Sequence, residues 1–307
     1  MKYGFLYKAS PLAKIFFSAF IVLASFLFCI VIGMILAVPI FKIDIFQLPS
    51  VFSNLSDPEN IRVLKYFQII QSIGLFVIPP FFIGCFIYKS SIQYLYINHS
   101  PKIYSLLLVI IIMFAAIPVI NFVAEINSQL QLPEFFSSVE KWLKEIEENA
   151  REITEAFLQI SGTRELLVNL FMIAILPAVG EELLFRGVFQ RIFIEWTKNI
   201  HIGIFLAAFF FSTLHFQFYG FFPRLMLGIF FGYLLVWSNT IWLPVFAHFV
   251  NNGAAVIFYY LFHNKIINDD IETIGTNLES LTYVIISALL VSLLIFVLYK
   301  KEKVGDT

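Results

Sequence analysis

Six residues of chemical interest fall inside stretches that are otherwise apolar: Glu181, Glu182, Arg186, His215, His248 and Asn252. An ionisable group in hydrocarbon costs roughly 2.5–3.5 kcal/mol on insertion scales. A chain that keeps five of them needs internal partners for them or a use for them. Glu182 and Arg186 are four residues apart, so they share a helix face and can pair. Glu181 is rotated by about 100° from that face and is left to look into a site. Pro177, with no backbone donor, can bend the helix just ahead of the pair. His215 ends the run Phe211-Ser212-Thr213-Leu214-His215. Measured from a turn near Lys198, Glu181 lies 17 residues before and His215 17 residues after. In an antiparallel helix pair both reach a similar depth, about 25 Å from the turn, and can meet. His248 and Asn252 are again four apart and share a face, with Asn251 pointing elsewhere as a neutral neighbour. His99, His201 and His263 sit in loops or at span ends, an ordinary interfacial setting.

These residue types support two hydrolytic chemistries. Two imidazoles and a carboxylate, His215, His248 and Glu181, can hold Zn²⁺, which acidifies a bound water. Alternatively Glu181 is itself the general base, a role that burial suits to neutral pH, with a histidine holding the water. The remaining His and Asn would then donate to the tetrahedral oxyanion. The H-E-x-x-H signature of soluble zinc proteases is absent. A serine mechanism has no G-x-S-x-G, and Ser212 has no evident base. The bland readings are an ion network of Glu181, Glu182 and Arg186 that only holds helices together, and an interhelical hydrogen-bond pair of His248 and Asn252.

The elements that must position these residues are membrane helices. Of 307 residues, 60% are hydrophobic and 13% charged, against roughly 25% charged in globular proteins. The apolar residues come in long runs, which predicts an all-α, polytopic transmembrane bundle. Eight spans fit: 12–38, 63–87, 103–124, 164–195, 202–217, 221–237, 241–262 and 281–299. The first run is too long for a signal-peptide core and reads as a retained helix. The fourth is too long for one simple crossing and should project beyond the membrane. Cys29 and Cys85 lie in separate apolar runs and read as small hydrophobes. The net charge of −1 implies no nucleic-acid partner.

Between the third and fourth spans, Ser137-Ser138-Val139-Glu140 has capping-box spacing with Ser137 as N-cap. Val139, Trp142, Leu143, Ile146, Ala150, Ile153, Phe157 and Leu158 then recur at helical spacing, predicting an amphipathic helix on the membrane or the bundle. It is either purely structural or a cover over a substrate entrance. The expected organisation is thus 1–125 for spans one to three, 126–163 for the extramembrane helix, 164–262 for the catalytic core and 263–307 for a loop and the last span. Lys2, Lys8 and Lys14 at one end and Lys300, Lys301 and Lys303 at the other place both termini in the cytoplasm. Lys42, Arg62 and Lys65 run against that pattern.

Glu-Glu-x-x-x-Arg, Phe-x-x-x-His and His-x-x-x-Asn on three successive intramembrane segments resemble the CPBP family. That family comprises CAAX-type prenyl-protein endopeptidases and bacteriocin-processing or immunity relatives. The resemblance covers Glu181 to Asn252, within about 164–262, and leaves the first two spans and the last uncovered. It implies an intramembrane endopeptidase in which Glu181 activates water with His215, Glu182 and Arg186 support, and His248 with Asn252 forms the oxyanion site. Members are often labelled metalloproteases, and a metal-free glutamate mechanism also fits the motif. The substrate implied is a membrane-associated peptide or prenylated protein, and the setting is the bilayer, read as a bacterial inner membrane. The rival readings are a transporter or proton-coupled carrier, which should show matched broken helices in two halves, and a non-catalytic immunity scaffold on the same fold.

Overall fold

Long apolar runs punctuated by Asn, Asp and Ser caps dictate the element order. The computed structural model describes residues 3–44, 46, 48, 51, 54–159, 162–268, 271–276 and 281–304. Lys2, counted above in the basic N-terminal flank, lies outside them. Helix α1 (Pro11–Phe41) starts at Ser10, whose hydroxyl accepts the Ala13 N–H at 3.3 Å. Helix α2 (Pro58–Tyr88) starts at Asp57, whose carboxylate accepts the Glu59 N–H at 2.9 Å. Such caps satisfy donors that a helix cannot pair internally. Helices α3 (Ile103–Ala115) and α4 (Ile117–Ser128) meet at a 46° bend. Pro118 sits in the first turn of α4 and removes the N–H that would have continued α3.

The amphipathic helix is α5 (Ser137–Leu158). Its start differs from the capping-box expectation. Ser137 is the first helical residue and caps nothing, because a tight turn over Glu134–Phe136 already runs into the helix. The apolar stripe divides in two. Val139 and Trp142 are exposed, while Ala156 and Phe157 are buried against α2 and the helix that follows.

Helix α6 (Thr163–Thr197) is 35 residues long, about 52 Å at 1.5 Å per residue, and so outreaches a hydrocarbon core of about 30 Å. Two stretches of it are wound wider than an α-helix, Leu170–Ile175 and Glu182–Phe189. Widened turns of this kind recur at functional sites. Helices α7 (Ile200–Thr213), α8 (Phe221–Ser238), α9 (Trp242–His263) and α10 (Leu281–Val304) complete the bundle. Among the described residues, six helices are long and apolar enough to cross a membrane, or seven with α3 and α4 as one bent span. The remaining expected span, 202–217, corresponds to α7, which has 14 residues. At about 21 Å it is shorter than the hydrocarbon core.

Helix α6 is held on several sides. Phe185, Phe189 and Phe193 interleave with Phe210 and Phe211 of α7, with ring centroids at 5.1 Å for Phe185–Phe211 and for Phe189–Phe210. Such aromatic pairs contribute about 0.5–1.5 kcal/mol beyond burial. Lys14 of α1, itself buried, holds both oxygens of Glu195 at 2.7 and 2.8 Å. Gly228 and Gly232 let α8 approach closely, so that Arg186 and Gln190 of α6 reach the Gly228 and Gly232 carbonyls at 3.4 and 3.1 Å. A Cβ on Gly232 would lie 2.6 Å from Gln190 Oε1. Small residues four apart are the usual means of close helix approach in lipid.

Candidate active site

The site is assembled around the middle of α6. Glu182 and Arg186 form the ion pair their spacing predicts, Oε1 to Nη1 at 2.9 Å, and both are fully buried. Arg186 is further enclosed by the faces of Phe211 and Phe231, 4.6 and 5.6 Å from the ring centroids. Burying a charge pair is tolerable only with close geometry and additional partners. The second partner of Glu182 comes from α9, where His248 Nδ1 lies 2.9 Å from the same Oε1. A carboxylate only accepts, so Nδ1 carries the hydrogen and Nε2 is the free nitrogen of this imidazole. The ring stacks on Phe231 at 5.3 Å.

Glu181 faces the other way, as the 100° rotation requires, and lines a cavity of about 550 Å³. His215, His248 and Asn252 line the same cavity. The nitrogen facing Glu181 Oε2 is His248 Nε2, at 3.9 Å. That is too long for a direct hydrogen bond and within ion-pair range. The depth argument therefore brings Glu181 and His215 to one cavity wall, while the imidazole facing the carboxylate belongs to α9. His215 lies in the turn just past α7 rather than within a span, and its Nδ1 donates to the Phe211 carbonyl at 2.8 Å. Its free nitrogen is also Nε2, by the same reasoning.

Asn252 is fixed by a feature of α6. Pro177 has no N–H to offer the carbonyl of Ile173, four residues earlier, and that carbonyl accepts the Asn252 Nδ2–H at 3.1 Å. Asn251, expected from spacing to point elsewhere, faces the same cavity as Asn252. It donates to Asn252 Oδ1 at 3.1 Å. Four further polar side chains stand on the wall that spacing did not single out, Gln68 and Gln71 of α2, Thr154 of α5 and Arg224 of α8. Arg224 was the legible one, a lone cation in the apolar run 221–237. It donates to the side chain and backbone carbonyl of Gln217. Ser212 is occupied elsewhere, donating to the Phe221 carbonyl at 2.7 Å.

The outer wall of the cavity is α5, through Ala150, Ile153, Thr154 and Phe157. Lys65 of α2 pins its end, donating to the Phe157 carbonyl at 2.9 Å and to Asn169 Oδ1 at 2.6 Å. Its other half is tied to the α7–α8 connection, where Glu147 accepts the Tyr219 N–H at 3.1 Å. The remaining histidines have local roles. His99 contacts the Asn239 carbonyl, His201 the Tyr233 hydroxyl, and His263 stacks on Tyr259.

Glu181, His215 and His248 present the right donor types for zinc. Among the described residues, however, no three His, Cys, Asp or Glu side chains are grouped closely enough to hold a metal ion.

Residues 163–254 match the family model described as type II CAAX prenyl endopeptidase Rce1-like. Over 86 residues the chain is 29% identical to the uncharacterized protein YpbD of Bacillus subtilis (strain 168). That stretch is 27% of this chain and 41% of the relative, so the chain spans about two fifths of the relative's length. No solved structure matches the chain.

Proposed function

We propose that this chain, whose residues 163–254 form an Rce1-like domain, is an intramembrane endopeptidase in which Glu181 activates the water that cleaves a peptide bond. The supporting observation is the division of labour within one carboxylate pair. Glu182 is fully buried and shares its Oε1 between Arg186 and His248, whereas Glu181 borders the cavity that also holds both imidazoles. Glu181 takes the proton of a water, and His215 Nε2 positions that water. The hydroxide adds to the carbonyl carbon, and Glu181 returns the proton to the leaving amine, so protons balance across the cycle.

The oxyanion falls to His248, with Asn251 and Asn252 as the neighbouring amides. With Nδ1–H held by Glu182, His248 can donate from Nε2 only as the imidazolium. Glu182 then stands 2.9 Å away as the counter-charge. Arg224 adds a cation to the same wall and is assigned to substrate binding. An apolar cavity of about 410 Å³ between α3, α4 and α9 shares Asn251 with the catalytic cavity. It supports a membrane-associated substrate, lipidated or strongly apolar beside the scissile bond. The lysine-rich flanks support both termini in the cytoplasm, and the setting we assign to the chain is a bacterial inner membrane.

The test is cleavage of a lipidated-peptide and membrane-protein panel by the purified chain and by Glu181→Ala, His215→Ala and His248→Ala. Unchanged turnover in all three would remove the assignment. Chelation followed by metal analysis separates the two chemistries. Full activity in metal-free protein supports the glutamate route, and loss that zinc restores supports a zinc centre.

A further inference from the structure

At the end of the bundle where α1 begins and α2 and α6 finish, a second polar cleft of about 740 Å³ opens, separate from the catalytic cavity. Its wall carries three cations, Lys8, Lys14 and Arg191, against one carboxylate, Glu195. Lys14 and Glu195 neutralise each other at 2.7 Å. Arg191 has no carboxylate partner among the described residues. Its guanidinium donates to the Tyr94 carbonyl and lies over the rings of Tyr94 and Tyr96, 4.2 and 4.7 Å from their centroids. These contacts orient the group without cancelling its charge. Lys8, on the segment leading into α1, likewise has no ion pair among the described residues. Tyr7 and Tyr88 add phenol donors to the rim. Tyrosine and basic side chains together are characteristic of the membrane–water boundary.

The surroundings favour a ligand with a greasy tail. Helix α1 leaves the cleft at Pro11 and exposes Leu12, Phe16, Phe20, Leu23 and Leu27 at helical spacing along its length. We propose that this cleft binds the phosphate headgroup of an anionic phospholipid, with Lys8 and Arg191 as its charged ligands and the acyl chains lying along α1. Basic pockets between membrane helices recognise anionic headgroups by this chemistry. The proposal does not depend on the peptidase reading.

The full chain in detergent is titrated with phosphatidylglycerol or phosphatidylcholine of identical acyl chains and read by native mass spectrometry. One phosphatidylglycerol should be retained in preference to phosphatidylcholine, and Lys8→Gln or Arg191→Gln should each weaken that preference by about fivefold. Lys8→Arg should retain it. Equal retention of both lipids overturns the proposal, as does an undiminished preference in both glutamine variants. If Arg191→Gln fails to fold, Lys8→Gln decides alone, since it lies on the segment before α1. Displacement of the lipid by millimolar inorganic phosphate would instead assign the cleft to free phosphate and overturn the lipid reading.

Discussion

His248 Nδ1 and Glu182 Oε1 lie 2.9 Å apart across α9 and α6, and the same oxygen holds Arg186 at 2.9 Å. One buried carboxylate oxygen thus serves two helices and two functions, anchoring the guanidinium and orienting the imidazole. Glu182→Gln keeps the volume and removes the charge. It should destabilise the protein by about 3–5 kcal/mol, because Arg186 is left uncompensated in a buried site. Glu182→Gln combined with Arg186→Met should recover most of the thermal stability in detergent but not the cleavage rate. Equal recovery of both would show that Glu182 has no hold on His248 that matters to catalysis.

Glu181 makes no buried ion pair with Arg186 and borders open space. Glu181→Gln should therefore leave the melting temperature nearly unchanged while cleavage falls by roughly 10²–10⁴-fold, the usual contribution of a positioned general base. A variant that melts normally and cleaves at the wild-type rate would return the residue to a structural role.

Pro177 and Asn252 are coupled through the Ile173 carbonyl. Pro177→Ala restores an N–H that competes for this acceptor. It should loosen Asn252 at a cost near one hydrogen bond, about 0.5–1.5 kcal/mol. The expected result is a moderate fall in kcat with little change in KM, smaller than the fall in Asn252→Ala. Additive losses in the double variant would disprove the coupling.

Close approach of α8 to α6 depends on Gly232. In Gly232→Ala the new methyl lies 2.6 Å from Gln190 Oε1 and 2.7 Å from Ile204 Cγ2. Overpacking of this kind costs about 1–3 kcal/mol. The variant should melt earlier, and Gln190→Ala in the same background should restore part of the loss. No restoration would mean that the Ile204 contact dominates.

Arg224 offers a test of substrate binding. Arg224→Met keeps the apolar stem and removes the charge, so KM should rise for peptides bearing a carboxylate near the scissile bond while kcat stays close to wild type. A fall in kcat at constant KM would place Arg224 with the reacting groups instead.

How much was legible follows from the range of each interaction. The apolar runs determined the helices, and four-residue spacing determined the Glu182–Arg186 pair and the outward turn of Glu181, because helical periodicity acts within one segment. The same periodicity was silent on neighbours. It put Asn251 off the working face, but the rotation of α9 against α6 brings Asn251 and Asn252 to the wall together. Spacing about a turn gave Glu181 and His215 a common depth, but crossing geometry set His248 Nε2 opposite the carboxylate. Ser137 had the composition of a cap, and the preceding turn over Glu134–Phe136 started the helix before it. Sequence alone determined which residues share a helix face wherever the winding keeps to 1.5 Å and 100° per residue, and residues four apart, such as Glu182 and Arg186, stay on one face even in the widened stretch of α6. Tertiary structure decided which faces meet, since that depends on side-chain volume at crossings such as Gly228 and Gly232, where the smallest residue permits the closest approach.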